Sequence, residues 1–592
     1  MQKGKTQKEK TLMAGVFTRL FTVMLIGMMC SILCNVIDSA ITGQFLGRDA
    51  VAAVGLTGPI ISLIGLVNAL FVAGTGQLCT ESMGKADIGR VNQIFSTTVV
   101  SVMGFGCLMT AFFAGISPMF LPLIAKGADP QVMKMAEDYL RGYSFIIIPM
   151  SLSSLLNSLF ALDNDQKRSM GFALIILVGD VALDLLNVFV FHGGLLGMAL
   201  ASVIGAVIGL FYLLLHFRKE GHLLRFSLNN LNFGVIPRVL VYGLAGAVPM
   251  LMGSIKTGSF NYVLLKAGGT DAIAAYSAAG GAFILLLSLT TTIQSTTATL
   301  TGLAFGEENT DSISEVLRIS LVFSYRIYLV IGAILFALAG PVSSIFLRTD
   351  VVSLRQLAIS FVRFMVFQNL FVIATYALSG SFAGTGHIRL NYLVSIFRDG
   401  LFPCLLVLIL GLTFGLQGVQ ASLPASGLLT LFGCICIPAV INRRFPRSVR
   451  DLLILPKDFG PKPGECFEAS AKDMDQVVEM SEKARQFCLK RGEDQKMANH
   501  VALFIEEMAK NTVQYGFEKV RNGRIELRLI LRDQKKIIRI KDNGRPFDPL
   551  RWLEENNPKD PGKNMGIRML VALAKKVYYI PGMELNNIIV EL

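Results

Sequence analysis

The chain changes character near residue 445, and no other feature constrains it as much. Before that point long apolar segments follow one another. Segments 99–119, 171–191, 195–217 and 327–346 are each long enough to cross ~30 Å of hydrocarbon at about 1.5 Å per residue. After it comes a charged tail carrying Glu506-Glu507-Met508-Ala509-Lys510-Asn511, Asp542-Asn543-Gly544-Arg545-Pro546 and Gly562-Lys563-Asn564-Met565-Gly566. Mean hydropathy is +0.56 over 592 residues and only 16% are charged, which makes the body a polytopic membrane protein and excludes an ordinary soluble globule.

Hydropathy predicts about twelve helical spans, at roughly 14–40, 50–76, 94–120, 139–161, 170–192, 195–217, 236–266, 272–300, 318–347, 359–380, 390–412 and 416–440. The lysine-rich residues 1–10 lack a small-residue cleavage site, so they read as a flank of the first span and not as a cleaved signal. An even number of spans with basic ends puts both termini in the cytoplasm and the chain, multi-pass, in the plasma membrane. The net charge of +13 is mostly a topology signal, because Lys and Arg gather in loops such as 216–219 and 442–447. Those runs abut spans and lack interleaved aromatics, so no nucleic-acid partner is expected. Nine scattered cysteines without paired spacing support neither a disulfide framework nor a zinc site.

The expected organisation is mostly α. It comprises a flank 1–13, a six-helix N-lobe 14–217, a loop 218–235, a six-helix C-lobe 236–442, a linker 443–464 and a compact α/β domain 465–592. Prolines 446, 456, 461 and 463 mark the linker. Two echoes in the same order suggest a duplicated six-helix unit. Leu159-Phe160-Ala161 and Ser381-Phe382-Ala383 each precede a span, and Gly197-Met198-Ala199 is echoed by Gly418-Val419-Gln420. Chance agreement among small residues is the alternative. Parallel repeats of this kind are a transporter trait, with a substrate cavity between the halves. In the tail, helices are predicted over 471–490, 495–516 and 566–576. Strands are predicted over 524–531, 536–541, 577–580 and 588–592, with a hairpin turn at 533–534.

Acidic residues inside spans are functional suspects because a charge out of water needs a neutralising partner. Asp38 lies in the first span. Asp180 and Asp184 lie four apart in the fifth, and so share a helix face. Such a cluster suits a proton or a monovalent cation. Arg398 with Asp399 is expected as a loop or interface pair. Lys256 would either favour an anionic cargo or pair with an acid elsewhere.

Over residues 15–440 the chain resembles the multidrug and toxic compound extrusion (MATE) family. Asp38-Ser39-Ala40-Ile41-Thr42-Gly43, then Ala52-Ala53-Val54-Gly55-Leu56, is similar to the family's first-span aspartate and the loop that follows it. Asn157-Ser158-Leu159-Phe160 is similar to its fourth-span asparagine motif. Asp180, Asp184 and Ser202 fall where the family has polar residues in spans five and six. The resemblance implies an antiporter that expels organic, often cationic, compounds on a proton or sodium gradient. It also implies an ion site in the N-lobe formed by Asp38, Asn157, Asp180 and Asp184. Two departures qualify it: the first span has no proline for a kink, and the seventh and tenth spans lack carboxylates.

In the tail, Glu507 and Asn511 share a helix face. The carboxylate suits polarising an attacking hydroxyl or water, and the amide oxygen suits Mg²⁺. Asp542 ends an apolar strand where it could accept from adenine's amino group, and Gly562 and Gly566 bracket a stretch suited to phosphates. In this order the features resemble the Bergerat-fold ATP-binding domains of gyrase and histidine kinases. The nearest likeness is to anti-sigma-factor serine kinases, through Asp542 to Pro549. The resemblance implies Glu507 as base, Asn511 for Mg²⁺, Asp542 and Gly544 for adenine, and Gly562 to Gly566 as lid. The 471–490 helix has no histidine, and no Gly-x-x-x-x-Gly-Lys-[Ser/Thr] loop exists, which excludes an ABC-type motor.

The leading reading is an ion-coupled exporter of small organic compounds with a cytoplasmic ATP-binding regulatory domain. A serine/threonine kinase acting on a protein partner, with the membrane half as sensor, is the second. An exporter of lipid-linked or polysaccharide precursors is the third.

Overall fold

The computed structural model describes residues 6–592 apart from 125–129, 161, 164, 220–221, 347–350, 457, 519, 521–522, 533–534, 556–573 and 583–584. Up to residue 441 it is helical almost throughout, as lipid requires when every peptide group must be satisfied within its own segment. The helices are α1 (Thr6–Ile41), α2 (Arg48–Gly84), α3 (Ile88–Ile124), α4 (Pro130–Ser144), α5 (Ile147–Phe160), α6 (Gln166–Leu186), α7 (Gly194–Leu214), α8 (Ile236–Gly306), α9 (Thr310–Ala337), α10 (Ala339–Phe346), α11 (Val352–Gly384), α12 (Ile388–Ile396) and α13 (Phe402–Ile441).

Among the described residues nine helices are long and apolar enough to cross a bilayer. Two bent pairs, α4 with α5 and the stretch 271–306 of α8, bring the number to eleven. The stretch 388–441 breaks at Gly415 (φ 60°, ψ −140°) and is two crossings, which gives the expected twelve. Gly269 (φ 68°) makes the same break inside α8. Only glycine occupies that backbone region without a steric penalty. The fourth span is not the straight rod expected. It bends by 48° between Ser144 and Ile147, where Pro149 has no N–H to give and its ring displaces the turn before it.

The lobes meet through α2 and α8, where glycines let backbones touch. A β-carbon on Gly74 would lie 1.9 Å from the Val239 carbonyl oxygen, and one on Gly243 would lie 1.8 Å from that of Leu70. One on Gly84, the last residue of α2, would lie 2.8 Å from Cα of Gly306, the last of α8. Small residues at such crossings allow this approach. Close by, the buried His216 ring bridges Asp163 (Nε2–Oδ2 2.7 Å) and Asp165 (Nδ1–Oδ2 2.8 Å). The Leu223 and Leu224 amides also donate to Asp163, which ties down the start of the inter-lobe loop.

The tail is a five-stranded antiparallel sheet in the order β1-β2-β3-β5-β4: β1 Cys466–Ala471, β2 Ile525–Arg532, β3 Lys535–Asp542, β4 Lys576–Tyr579 and β5 Asn586–Glu591. Helices α14 (Met474–Lys490) and α15 (Gln495–Asn511) cover one face, and a short α16 (Pro549–Glu555) follows β3. Strand β1 and α16 were not legible in the sequence. The expected hairpin turn at 533–534 and most of the 566–576 helix lie outside the described residues. Side chains alternate between faces. Leu527, Leu529, Ile538, Ile540, Ile588 and Val590 pack under the two helices. Ile530, Ile537 and Ile589 face the other way, into one apolar cluster with Met83, Leu162 and Leu453 of the membrane body and its linker. The sheet is therefore covered on both sides, and the membrane body is its second cover.

Gly243→Val is expected to cost about 1–3 kcal/mol of stability through overpacking, read as a lower melting midpoint of the purified protein. Gly253→Val, with open space around the added carbon, is expected to leave the midpoint nearly unchanged. Equal midpoints would contradict the glycine contact.

Candidate functional sites

In the N-lobe, α1 and α6 lie side by side and bring three of the predicted acids together. Asp184 and Asp180 are buried and Asp38 is half-buried. The Cys34 thiol, one turn before Asp38, donates to Asp180 Oδ2 at 3.0 Å. Ligand atoms of Cys34, Asp38 and Asp180 lie within 4.8 Å of one another. Asp184 lies within electrostatic reach of Asp38 and Asp180. Both Asp184 oxygens lack a hydrogen-bond donor, and no Lys or Arg among the described residues forms an ion pair with any of the three. A π-helical turn follows each acid-bearing helix, Thr42–Leu46 and Asn187–Phe191, a local irregularity frequent at functional sites.

The other two expected members are placed differently. A β-carbon on Gly205 of α7 would lie 3.7 Å from Asp180, and Ser202 lies about one turn before Gly205 on the same face of α7. Asn157 stands apart from the acids. It is near the end of α5, where its carbonyl accepts from Ser169, and Ser169 precedes Asp180 by about 16 Å along α6. The structure thus does not bring Asn157 into the cluster, because α5 and α6 meet at the end of the bundle nearer the tail. Sequence reading missed Cys34, although its spacing from Asp38 puts it on the same helix face. It also missed Tyr139 and Tyr143, stacked at 5.5 Å within electrostatic reach of the acids.

A cavity of about 230 Å³ lies in the same lobe, lined by Leu63, Asn68, Phe71, Phe105, Met109 and Ser151 among others. Apolar walls with a few polar atoms are the chemistry of an organic-ligand pocket. The C-lobe is of opposite character. Arg398 and Asp399 are not in a loop, as expected, but on a π-helical turn (Phe397–Leu401) within the eleventh span. Arg398 is buried, grips Asp399 through Nε (2.9 Å) and Nη2 (2.7 Å), and lies 3.5 Å over the Tyr376 ring. Lys256 of α8 lies within electrostatic reach of the same pair.

In the tail, Glu507 and Asn511 sit half-buried on one face of α15. The helix runs on through a π-helical turn, Thr512–Gly516, and Gly516 O accepts from the Arg545 amide at 3.0 Å. This contact sets the end of α15 against the Asp542-Asn543-Gly544 turn, as a nucleotide site of that design needs. Asp542 Oδ1 accepts from Asn586 Nδ2 (2.7 Å) and from the Gly544 amide (2.8 Å). That leaves Oδ2 for a ligand donor, so the residues present fit an adenine. Burial pushes the Asp542 carboxyl up to about 6, against the lowering effect of those two donors. Gly562 and Gly566 lie outside the described residues.

Comparisons agree with this fold. The MatE family profile matches residues 24–186 and 250–407, just over half the chain. A profile described as histidine kinase-like ATPase domain matches 470–591. A probable multidrug resistance protein of Bacillus subtilis (strain 168), YoeA, is 22% identical over 353 residues, covering 57% of this chain and 75% of that protein. A crystal structure of a MATE in complex with MaL6 superposes with a TM-score of 0.67 at 21% identity, over 71% of this chain and 94% of the other. A MOP-superfamily transporter from Pyrococcus furiosus Vc1, noted for the reverse polarity of its binding pocket, superposes with a TM-score of 0.66 at 20% identity, over 72% and 96%.

Mg-ATP binding by the full chain is expected to weaken about tenfold per pH unit below about 6, as Asp542 gains a proton and its oxygen becomes a poorer acceptor. Calorimetric titrations between pH 5 and 8 check this. A profile flat across that range removes Asp542 from the site.

Proposed function

The chain belongs to the MatE family, and from that membership we propose that it is an antiporter, driven by protons or sodium, that exports small organic compounds and is regulated by ATP bound to its tail. The observation that carries the ion coupling is the acid cluster of Asp38, Asp180 and Asp184. A buried carboxylate without a basic partner must hold a proton or a cation, and gaining or losing one changes the charge of a site that joins two helices. Cargo and ion then share one lobe, since the apolar cavity and the acid cluster both lie in the N-lobe. Apolar organic compounds with a cationic group suit that arrangement. Lys256 and Arg398, compensated by one Asp399, make the C-lobe a poor place for such a cation.

The tail supplies regulation and not drive. Asp542 and Gly544 hold the adenine, Asn511 takes Mg²⁺, and Glu507 stands where it can polarise a water or a hydroxyl. The bound group would supply a polarised terminal phosphate. The protein's part is to orient it between the end of α15 and the Asp542 turn. Both termini lie in the cytoplasm on this reading, where ATP is available. Serine/threonine kinase activity toward a separate protein is the second reading, favoured by Glu507 being in place beside Asn511.

Dye efflux from expressing cells is expected to fall at least tenfold in Asp184→Asn, which removes an ionisable group while keeping size. Residual efflux equal to wild type, at equal protein level, would overturn the ion-site assignment.

A further inference from the structure

The tail's sheet does not simply rest against the membrane body. At the centre of the contact is Glu307, the residue after the last turn of α8, with only 1% of its side chain exposed. Its carboxylate contacts Arg539 Nη1 at 2.8 Å and Lys541 Nζ at 2.6 Å, both from β3. Arg528 of β2 donates to the Glu307 and Glu308 carbonyls at 3.2 and 3.1 Å, and Arg532 pairs with Glu308 at 3.1 Å. Arg528 and Arg539 stand directly opposite each other in the β2–β3 ladder. Like charges so placed repel, and the inserted carboxylate offsets them. Burial alone would push the Glu307 carboxyl up, but Lys541 and Arg539 outweigh it and hold it below its ordinary range.

Arg539 does more than pair with Glu307. Its Nη2 donates to the Gly84 carbonyl at 3.2 Å. Gly84 ends α2 of the N-lobe and Glu307 caps α8 of the C-lobe, so one guanidinium holds both lobes where their backbones touch at Gly84 and Gly306. Gly582 adds a second N-lobe contact, lying against the Leu162 carbonyl and the Met83 side chain. On the C-lobe side, Phe459 of the linker stacks on Phe305 at 4.8 Å.

From this geometry we propose that the ATP-binding domain is a lock across the transporter's cytoplasmic mouth, fastened by Arg539 and Glu307 and set by nucleotide bound at Asp542. Opening the mouth separates Gly84 from Gly306, and Arg539 cannot keep both partners when it does. The link to nucleotide is covalent and short. Lys541 and Asp542 are consecutive on β3, so one points to Glu307 and the next to the opposite face, where the adenine sits. Binding that shifts the end of β3 shifts the fastening, and by reciprocity the state of the mouth alters nucleotide affinity. The inference rests on the nucleotide reading of the tail made above, and the two can fail separately.

Hydrogen exchange on the purified full chain, combined with Mg-ATP titration, tests it. Glu307→Gln keeps shape and removes charge. It is expected to speed amide exchange at least tenfold in both residues 84–90 of the N-lobe and 306–312 of the C-lobe, and to shift the Mg-ATP Kd at least fivefold. Saturating Mg-ATP is expected to change exchange at the same two segments in wild type. Loosening confined to 306–312 overturns the lock, because a local structural defect would stop there. An unchanged Kd in the variant, or no effect of bound Mg-ATP on either segment, overturns nucleotide control. If wild type binds no Mg-ATP, the nucleotide reading fails and its control with it, while the exchange comparison still decides the lock. Should Glu307→Gln misfold, Arg539→Gln carries the same expectations.

Discussion

A carboxylate removed from water must acquire either a cation or a proton, and this chain meets that requirement in opposite ways at two places. In the N-lobe, Asp38, Asp180 and Asp184 have only a thiol and one another among the described residues. Their charge is therefore free to be cancelled by something that comes and goes. At the far end of the bundle Glu307 has two cationic side chains on its oxygens and a third on its carbonyl. Its charge is permanently compensated by the protein itself. The first arrangement stays responsive because it lacks a fixed partner, and the second holds because it has one. Removing one member of a buried pair costs about 3–5 kcal/mol, so the second site is structural as strongly as the first is labile.

The duplicated architecture makes the contrast within the membrane body sharper. The fifth and eleventh spans occupy corresponding places in the two lobes; a π-helical turn ends the fifth, and another lies within the eleventh. In one span the polar residues are acids. In the other Arg398 takes the interior position and binds its own neighbour, Asp399.

Much of this was legible in the sequence. Apolar runs reveal spans because lipid admits few alternatives, and intramembrane acids are conspicuous because they are costly. The Asp542-Asn543-Gly544 and Glu507–Asn511 patterns could be placed because their order along the chain follows the fold. Partners separated by long stretches of chain were not legible. His216 meets Asp163 across 53 positions, and Lys541 meets Glu307 across 234. No periodicity connects such pairs. Arg528, Arg532, Arg539 and Lys541 do alternate along two predicted strands and mark one face as basic, but a basic face alone names no occupant. Asn157 was assigned to the cluster by resemblance alone, and a shared motif carries no distance between helices.

The way the tail is seated also limits what nucleotide can do. An ATP-driven pump needs nucleotide between parts that move against each other. Here the basic face of the sheet is spent on the membrane body, while the adenine side lies beyond the sheet, beside α15. On the proposed reading nucleotide enters and leaves without parting the dock, and its influence passes through β3 rather than through a closing cleft. That arrangement suits an equilibrium bias on opening, not a power stroke, and is consistent with the proposal that the body's own acids take energy from an ion gradient.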